Sequence, residues 1–232
     1  MRDGRLIVVS PHLDDAVLGC GRLLAARPGS TVITVCAGSP PHPDRLTDWD
    51  AACGFSSAGQ AIAERRREDS AALYRLGADP RWLDHLDDQY AEGDPAESER
   101  IEAMAAGLRR EIDAADPRAE ALVVFPLGLF HPDHRRVHLA MRSLLADAAQ
   151  RDWFLYEDAL YRRLPGLVQQ RLAELAAEGI GATVVQAQPG SADAKWRATR
   201  CYRSQLRGLA AAGWPDHLDA LVDESYWHAS LA

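Results

Sequence analysis

Lysine is almost missing from this chain. Lys195 is the one lysine among 26 basic residues, and arginine supplies the rest, a bias of codon usage more than of function. Positive charge is also in deficit: 34 Asp and Glu give a formal net charge of -8. That balance argues against a nucleic-acid partner, because phosphate binding leans on clustered Lys and Arg. Cysteine is scarce, and Cys20, Cys36, Cys53 and Cys201 form no CxxC pair. Neither a zinc ribbon nor a disulfide framework is indicated, so reduced, mostly buried thiols are expected. No apolar run approaches the 18 or so residues of a membrane span. The first apolar stretch, Leu6 to Val9, is too short for a secretory leader, so a cytoplasmic setting without membrane contact is expected.

What is present is an ordinary globular composition, 47% hydrophobic and 26% charged over 232 residues, which argues against disorder. The length suits one domain, 1–232, of an α/β kind. Leu6–Val9, Thr31–Cys36 and Ala121–Phe125 read as buried strands, Trp82–Leu86 as a weaker one, and Phe154–Tyr156 and Ala182–Gln186 as later ones. Helices are expected over Ala16–Arg27, Arg65–Leu76, Ser98–Ile112, His134–Ala149 and, as one long element, Ala192–Leu209. This alternation predicts a Rossmann-like, mostly parallel sheet with helices on both faces. Ligands then bind outside the carboxyl ends of the strands. The Pro- and Gly-rich stretch from Ala37 to Gly59 is long for a connection. It is either a substrate lid, residues 37–60, or a loop without a role.

Two clusters sit where strands stop. Ser10-Pro11-His12-Leu13-Asp14-Asp15 follows the first strand, and His131-Pro132-Asp133-His134 follows the ALVVF run. One such cluster alone reads as a helix cap or a hydrogen-bonded histidine. Two at one sheet edge suggest a metal held between them by two imidazoles and a carboxylate, with a position left open for water. A spare carboxylate then serves as general base, and a spare histidine protonates a leaving group or steadies an oxyanion. His138, four residues past His134, is read as a helix-face histidine.

These residues carry a resemblance. SPHLDDAVLGCG is similar to the (A/P)HPDDExxGCGG signature of the PIG-L / LmbE-like de-N-acetylases, and HPDHRRVH matches their HPDH signature. Arg66-Arg67-Glu68 before Leu76-Gly77, Tyr156-Glu157-Asp158, Lys195…Tyr202-Arg203-Ser204-Gln205 and Glu224-Ser225-Tyr226-Trp227 resemble later family segments in the right order. The resemblance implies a zinc-dependent hydrolase that removes the acetyl group from an N-acetylglucosamine-type conjugate. By position, it gives His12, Asp15 and His134 as metal ligands and Asp14 as general base. His131 becomes the oxyanion or amine partner, oriented by Asp133. Leu13 stands in place of the signature's proline, and Ala16 in place of its glutamate. The two-histidine, one-carboxylate set also suits ferrous iron. Trp49, Arg66, Asp87 and Asp88 are candidate substrate contacts, for stacking and for hydroxyl or anionic groups. A hydrolase of another acyl group or ester, and a non-catalytic metal-binding descendant, are the alternatives. The expected partner is a small-molecule aminosugar conjugate, and a homo-oligomer is left open.

Overall fold

The structure is a computed structural model describing residues 1–91, 96–145, 151–188, 190–212 and 223–231. Its centre is a seven-stranded sheet in the order β3-β2-β1-β4-β5-β7-β6. The strands are β1 (Leu6–Ser10), β2 (Thr31–Thr34), β3 (Asp79–Trp82), β4 (Leu122–Pro126), β5 (Trp153–Tyr156), β6 (Ile180–Val185) and β7 (Tyr226–Leu231). The first five strands pair in parallel, and β7 runs antiparallel between β5 and β6. The α/β architecture read from the sequence is therefore the one observed.

The continuous apolar run of β1 has a simple cause: both of its faces are covered. Leu6 and Val8 point into one core with Val17, Leu23 and Leu24 of α1 (Asp15–Ala25), Leu73 of α3 (Ala58–Leu76) and Ala198 of α7 (Ala192–Thr199). Ile7 and Val9 point into the other core. There they meet Leu108 of α4 (Glu97–Ala115), Val137 and Met141 of α5 (Pro132–Leu145) and Leu175 of α6 (Leu167–Ala177). Alternate side chains of a strand point to opposite faces, so a doubly covered strand carries no polar alternation.

Three expectations are corrected. The third strand ends at Trp82 instead of beginning there, pairing Asp79–Trp82 with Thr31–Thr34. It is an exposed edge strand, where backbone pairing decides the register and Pro80 is tolerated. The long final helix is two helices, α7 and α8 (Arg203–Ala211), broken at Tyr202. The break lets Glu68 accept from the Ser204 N–H and hydroxyl. Residues 37–59, read as a loop, contain α2 (Asp48–Cys53) and the start of α3, capped by Thr47 and Ser57. The sequence reading also passed over α6 and β7. The expected helix through Ala149 is described to Leu145, and its last residues lie outside the described ones. Among the described residues, no helix is long and apolar enough to cross a membrane.

Candidate active site

Because β1 and β4 are parallel neighbours, their carboxyl ends open at the same edge. After β1 the Ser10 hydroxyl donates to the His12 carbonyl and accepts from the Ala16 N–H, tying the turn to the start of α1. Asp15 begins that helix, and its Oδ2 accepts the His12 N–H at 2.9 Å. After β4 the chain turns through Gly128 and Phe130, at φ +81° and +58°. A Cβ at residue 128 would lie 2.7 Å from that of His138, so only glycine fits there. Pro132 then opens α5, placing His134 in its first turn.

Two donor pairs meet at Asp15. Asp15 Oδ2 lies 3.2 Å from His12 Nδ1 and 3.2 Å from His134 Nε2. Ligands about 2.0–2.2 Å from a tetrahedral ion stand roughly 3.3 Å apart, so this spacing fits a divalent metal. Ring nitrogens of His131, His12 and His134 also lie within 4.8 Å of one another. The remaining nitrogens of the two donor histidines are held from behind. His12 Nε2 is 3.0 Å from Asp133 Oδ2, and His134 Nδ1 is 2.5 Å from Asp158 Oδ1. A carboxylate behind an imidazole fixes its tautomer and raises its basicity toward a metal. A second buried cluster, His12, Cys36 and Asp133, has donor spacing as well. Burial keeps the Cys36 thiol protonated, and Asp133 is already taken by His12, the Asp88 N–H and Arg136.

The expected pairing of Asp133 with His131 is corrected. The carboxylate faces His12, with His131 Nδ1 at 3.9 Å. What reaches His131 is the Asp133 backbone N–H, donating to Nδ1 at 3.2 Å. That leaves the proton on Nε2. Burial, then the neighbouring His12 and His134, push His131 down to about 4, so it is neutral at pH 7. Asp14 behaves in the opposite sense. Burial and the adjacent Asp15 raise its carboxyl to about 7, against the pull of Arg65, His12 and His134. Asp15 is held well below the usual carboxylate range: burial opposes this, but His134 and His12 outweigh it.

These groups line a cavity of about 440 Å³ that also includes Trp49, Asp87 and Asp88. Arg66 is not part of it. Its guanidinium bonds the Ala37 carbonyl and lies over the Trp82 ring, while the preceding residue, Arg65, lines the cavity and pairs with Asp87 at 3.1 Å. Successive helix residues point about 100° apart, so one position decides which arginine turns inward. His138 is buried away from the cavity, donating from Nδ1 to the Pro126 carbonyl. Sequence reasoning gave no site role to Arg65, Gln89, Tyr161, Gln205 or Asp158. Asp158 carried a usable signal, since it follows β5 at the same sheet edge.

Fold and site together define an α/β protein with a His–Asp–His donor set and a spare carboxylate at the strand ends. The family model described as PIG-L: GlcNAc-PI de-N-acetylase matches residues 7–145, a stretch that holds all these groups. The chain belongs to this family, the one its motifs resemble. It is 32% identical over 181 residues to a 2'-N-acetylparomamine deacetylase of Streptomyces fradiae, covering 69% of this chain and 59% of that relative. The matched stretch thus spans less than two thirds of that protein. Among solved structures, it is similar to the A40926 pseudoaglycone deacetylase, with TM-score 0.77, 26% identity, and 98% and 97% of the two chains covered. A zinc-inhibited form of a teicoplanin deacetylase shares the fold, with TM-score 0.78, 24% identity and 99% of each chain covered.

Proposed function

We propose that the protein is a zinc-dependent N-deacetylase. It hydrolyses the acetamide of an aminosugar conjugate to acetate and a free amine. The observation that carries this reading is the convergence of His12, Asp15 and His134 beside the unshared carboxylate of Asp14 and the neutral imidazole of His131. The curated relative and the A40926 pseudoaglycone deacetylase support the choice of reaction, since both are deacetylases.

His12, Asp15 and His134 are the residues that would hold the ion. When bound, zinc supplies Lewis acidity toward a carbonyl oxygen and toward water. Asp14 accepts the proton of the attacking water. Next to a dication its carboxylate is ionised at neutral pH. His131 keeps its proton on Nε2 and donates a hydrogen bond to the developing oxyanion. The proton gathered by Asp14 is then available to the departing nitrogen, which cannot leave as an anion. Asp87 and Asp88 accept hydrogen bonds from sugar hydroxyls, and Trp49 packs on the sugar. Residues 37–60 act as the cover of the site. Trp49, on α2, is anchored by its Nε1 donating to Gln205 Oε1 of α8 at 3.3 Å.

Amine and acetate release from N-acetylglucosaminyl conjugates tests this, beside the same sugars carrying other acyl groups. Release from the acetyl compounds by zinc-loaded protein is the expected result. Zinc-loaded protein that releases nothing, or only other acyl groups, overturns the reading.

A further inference from the structure

One residue at the cavity is out of keeping with its place. Phe130 is the central residue of a three-residue turn, closed by the His131 N–H donating to the Leu129 carbonyl at 2.7 Å. Its φ is +58°, left-handed backbone that costs an ordinary residue strain and glycine almost none. Among the described residues only Ala119 shares this feature outside glycine. Phe130 is also 58% exposed. A glycine or asparagine would remove both the strain and the exposed apolar surface. Such strain persists where the surroundings over-determine it, and it gathers at ligand clamps. The surroundings here are firm: Asp158 Oδ2 accepts the N–H groups of Gly128 and Leu129 at 2.9 and 3.0 Å.

The ring is also aimed. It packs on Tyr161 at 5.3 Å, tilted by 32°, and the Tyr161 ring lies nearly parallel to His131 at 6.4 Å and edge-on to His134 at 5.2 Å. An aromatic row thus runs from His131 and His134 through Tyr161 to the exposed Phe130, and Leu160 extends its apolar lining. The reacting amide belongs at the floor, where His134 is 2% exposed. An acetyl group has nothing further to send outward, so the part of the conjugate that reaches Phe130 is the other end.

We infer that Phe130 and Tyr161 form a stacking subsite for a flat, apolar aglycone, so that the substrate carries an aromatic group on its sugar. This rests on the deacetylase reading and extends it to substrate class. Phe130 is then a specificity-determining residue.

The test compares the para-nitrophenyl and methyl glycosides of N-acetylglucosamine, with parent protein, Phe130→Ala and Phe130→Trp. Stacking of this kind corresponds to roughly three- to tenfold in binding. The parent is expected to favour the aromatic glycoside by that factor in kcat/KM, chiefly through KM. Phe130→Ala loses the preference and Phe130→Trp keeps it. A parent without the preference, or a preference untouched in Phe130→Ala, overturns the subsite. So does a Phe130-dependent preference that follows a longer acyl group and not the aglycone. If the parent hydrolyses neither glycoside, the deacetylase reading is what fails. Calorimetric binding of the two glycosides to the same proteins then decides the subsite alone. Tighter aromatic binding that needs residue 130 aromatic supports it, and equal or absent binding overturns it.

Discussion

The Asp158 carboxylate ties His134 to the loop that carries His131. Its Oδ1 lies 2.5 Å from His134 Nδ1, and its Oδ2 accepts from the Gly128 and Leu129 backbone. One buried side chain therefore sets the tautomer of a donor histidine and the path of the adjoining turn. Asp158→Asn is expected to weaken zinc binding roughly 10- to 100-fold, the usual effect of losing such an outer partner. Competition against a chromophoric chelator measures this. An unchanged affinity would remove Asp158 from the metal's support.

Proton release on metal binding follows from the same contacts. In the metal-free protein His134 is raised to about 9: burial pulls it down, but Asp15 and Asp158 outweigh burial. His12 is likewise raised well above its ordinary value, because Asp87, Asp133 and Asp15 exceed its burial penalty. Both imidazoles carry protons at pH 7 that a metal must displace. Zinc affinity is expected to rise with pH up to about 9, with net proton release seen by calorimetry in buffers of different ionisation enthalpy. The stability that His134 gives the metal-free fold is complete below its ordinary 6.5 and is lost as pH rises through about 9. Proton-neutral binding at pH 7 would contradict this account.

The two adjacent arginines should behave differently. Arg65 lowers the Asp14 carboxyl and pairs with Asp87, whereas Arg66 serves the Ala37 carbonyl outside the cavity. Removing the Arg65 cation lets the Asp14 pKa rise, and a base acts only when ionised. In Arg65→Met the acid limb of the kcat/KM profile is expected to move to higher pH, and in Arg66→Met to stay in place. Equal shifts in both variants would contradict the assignment.

The one lysine turns out to be structural. Lys195 is fully buried, with Nζ 2.8 Å from Glu224 Oε1. Glu224 also accepts from the backbone of Arg22 and Leu23, so it cannot follow a lost partner to solvent. Lys195→Met strands that carboxylate and should cost about 3–5 kcal/mol in urea unfolding. A midpoint unchanged from the parent would show the pair to be dispensable.

The sheet, its doubly covered strands and the two strand-end clusters were legible because apolar runs and His/Asp groups alternate locally along the chain. Relationships that depend on side-chain direction were not. Asp133 is two residues from His131 in sequence, yet its carboxylate meets His12, 121 residues away. Arg66 was read as the substrate contact, yet helix phase turns Arg65 into the cavity and Arg66 away from it. The edge strand β3 lacks the apolar pattern that marks buried strands, so its register was misplaced. The left-handed backbone of Phe130 gave no signal, since it is invisible in composition or period.

The most direct measurement takes zinc-loaded parent and Asp14→Asn through one assay of amine release from an N-acetylglucosaminyl conjugate, with bound metal counted in both. Loss of a general base lowers turnover by roughly 100- to 10,000-fold. Equal metal content, release by the parent, and a loss of that order in the variant are expected. Equal metal content with undiminished turnover by Asp14→Asn would contradict the assignment of Asp14 as general base.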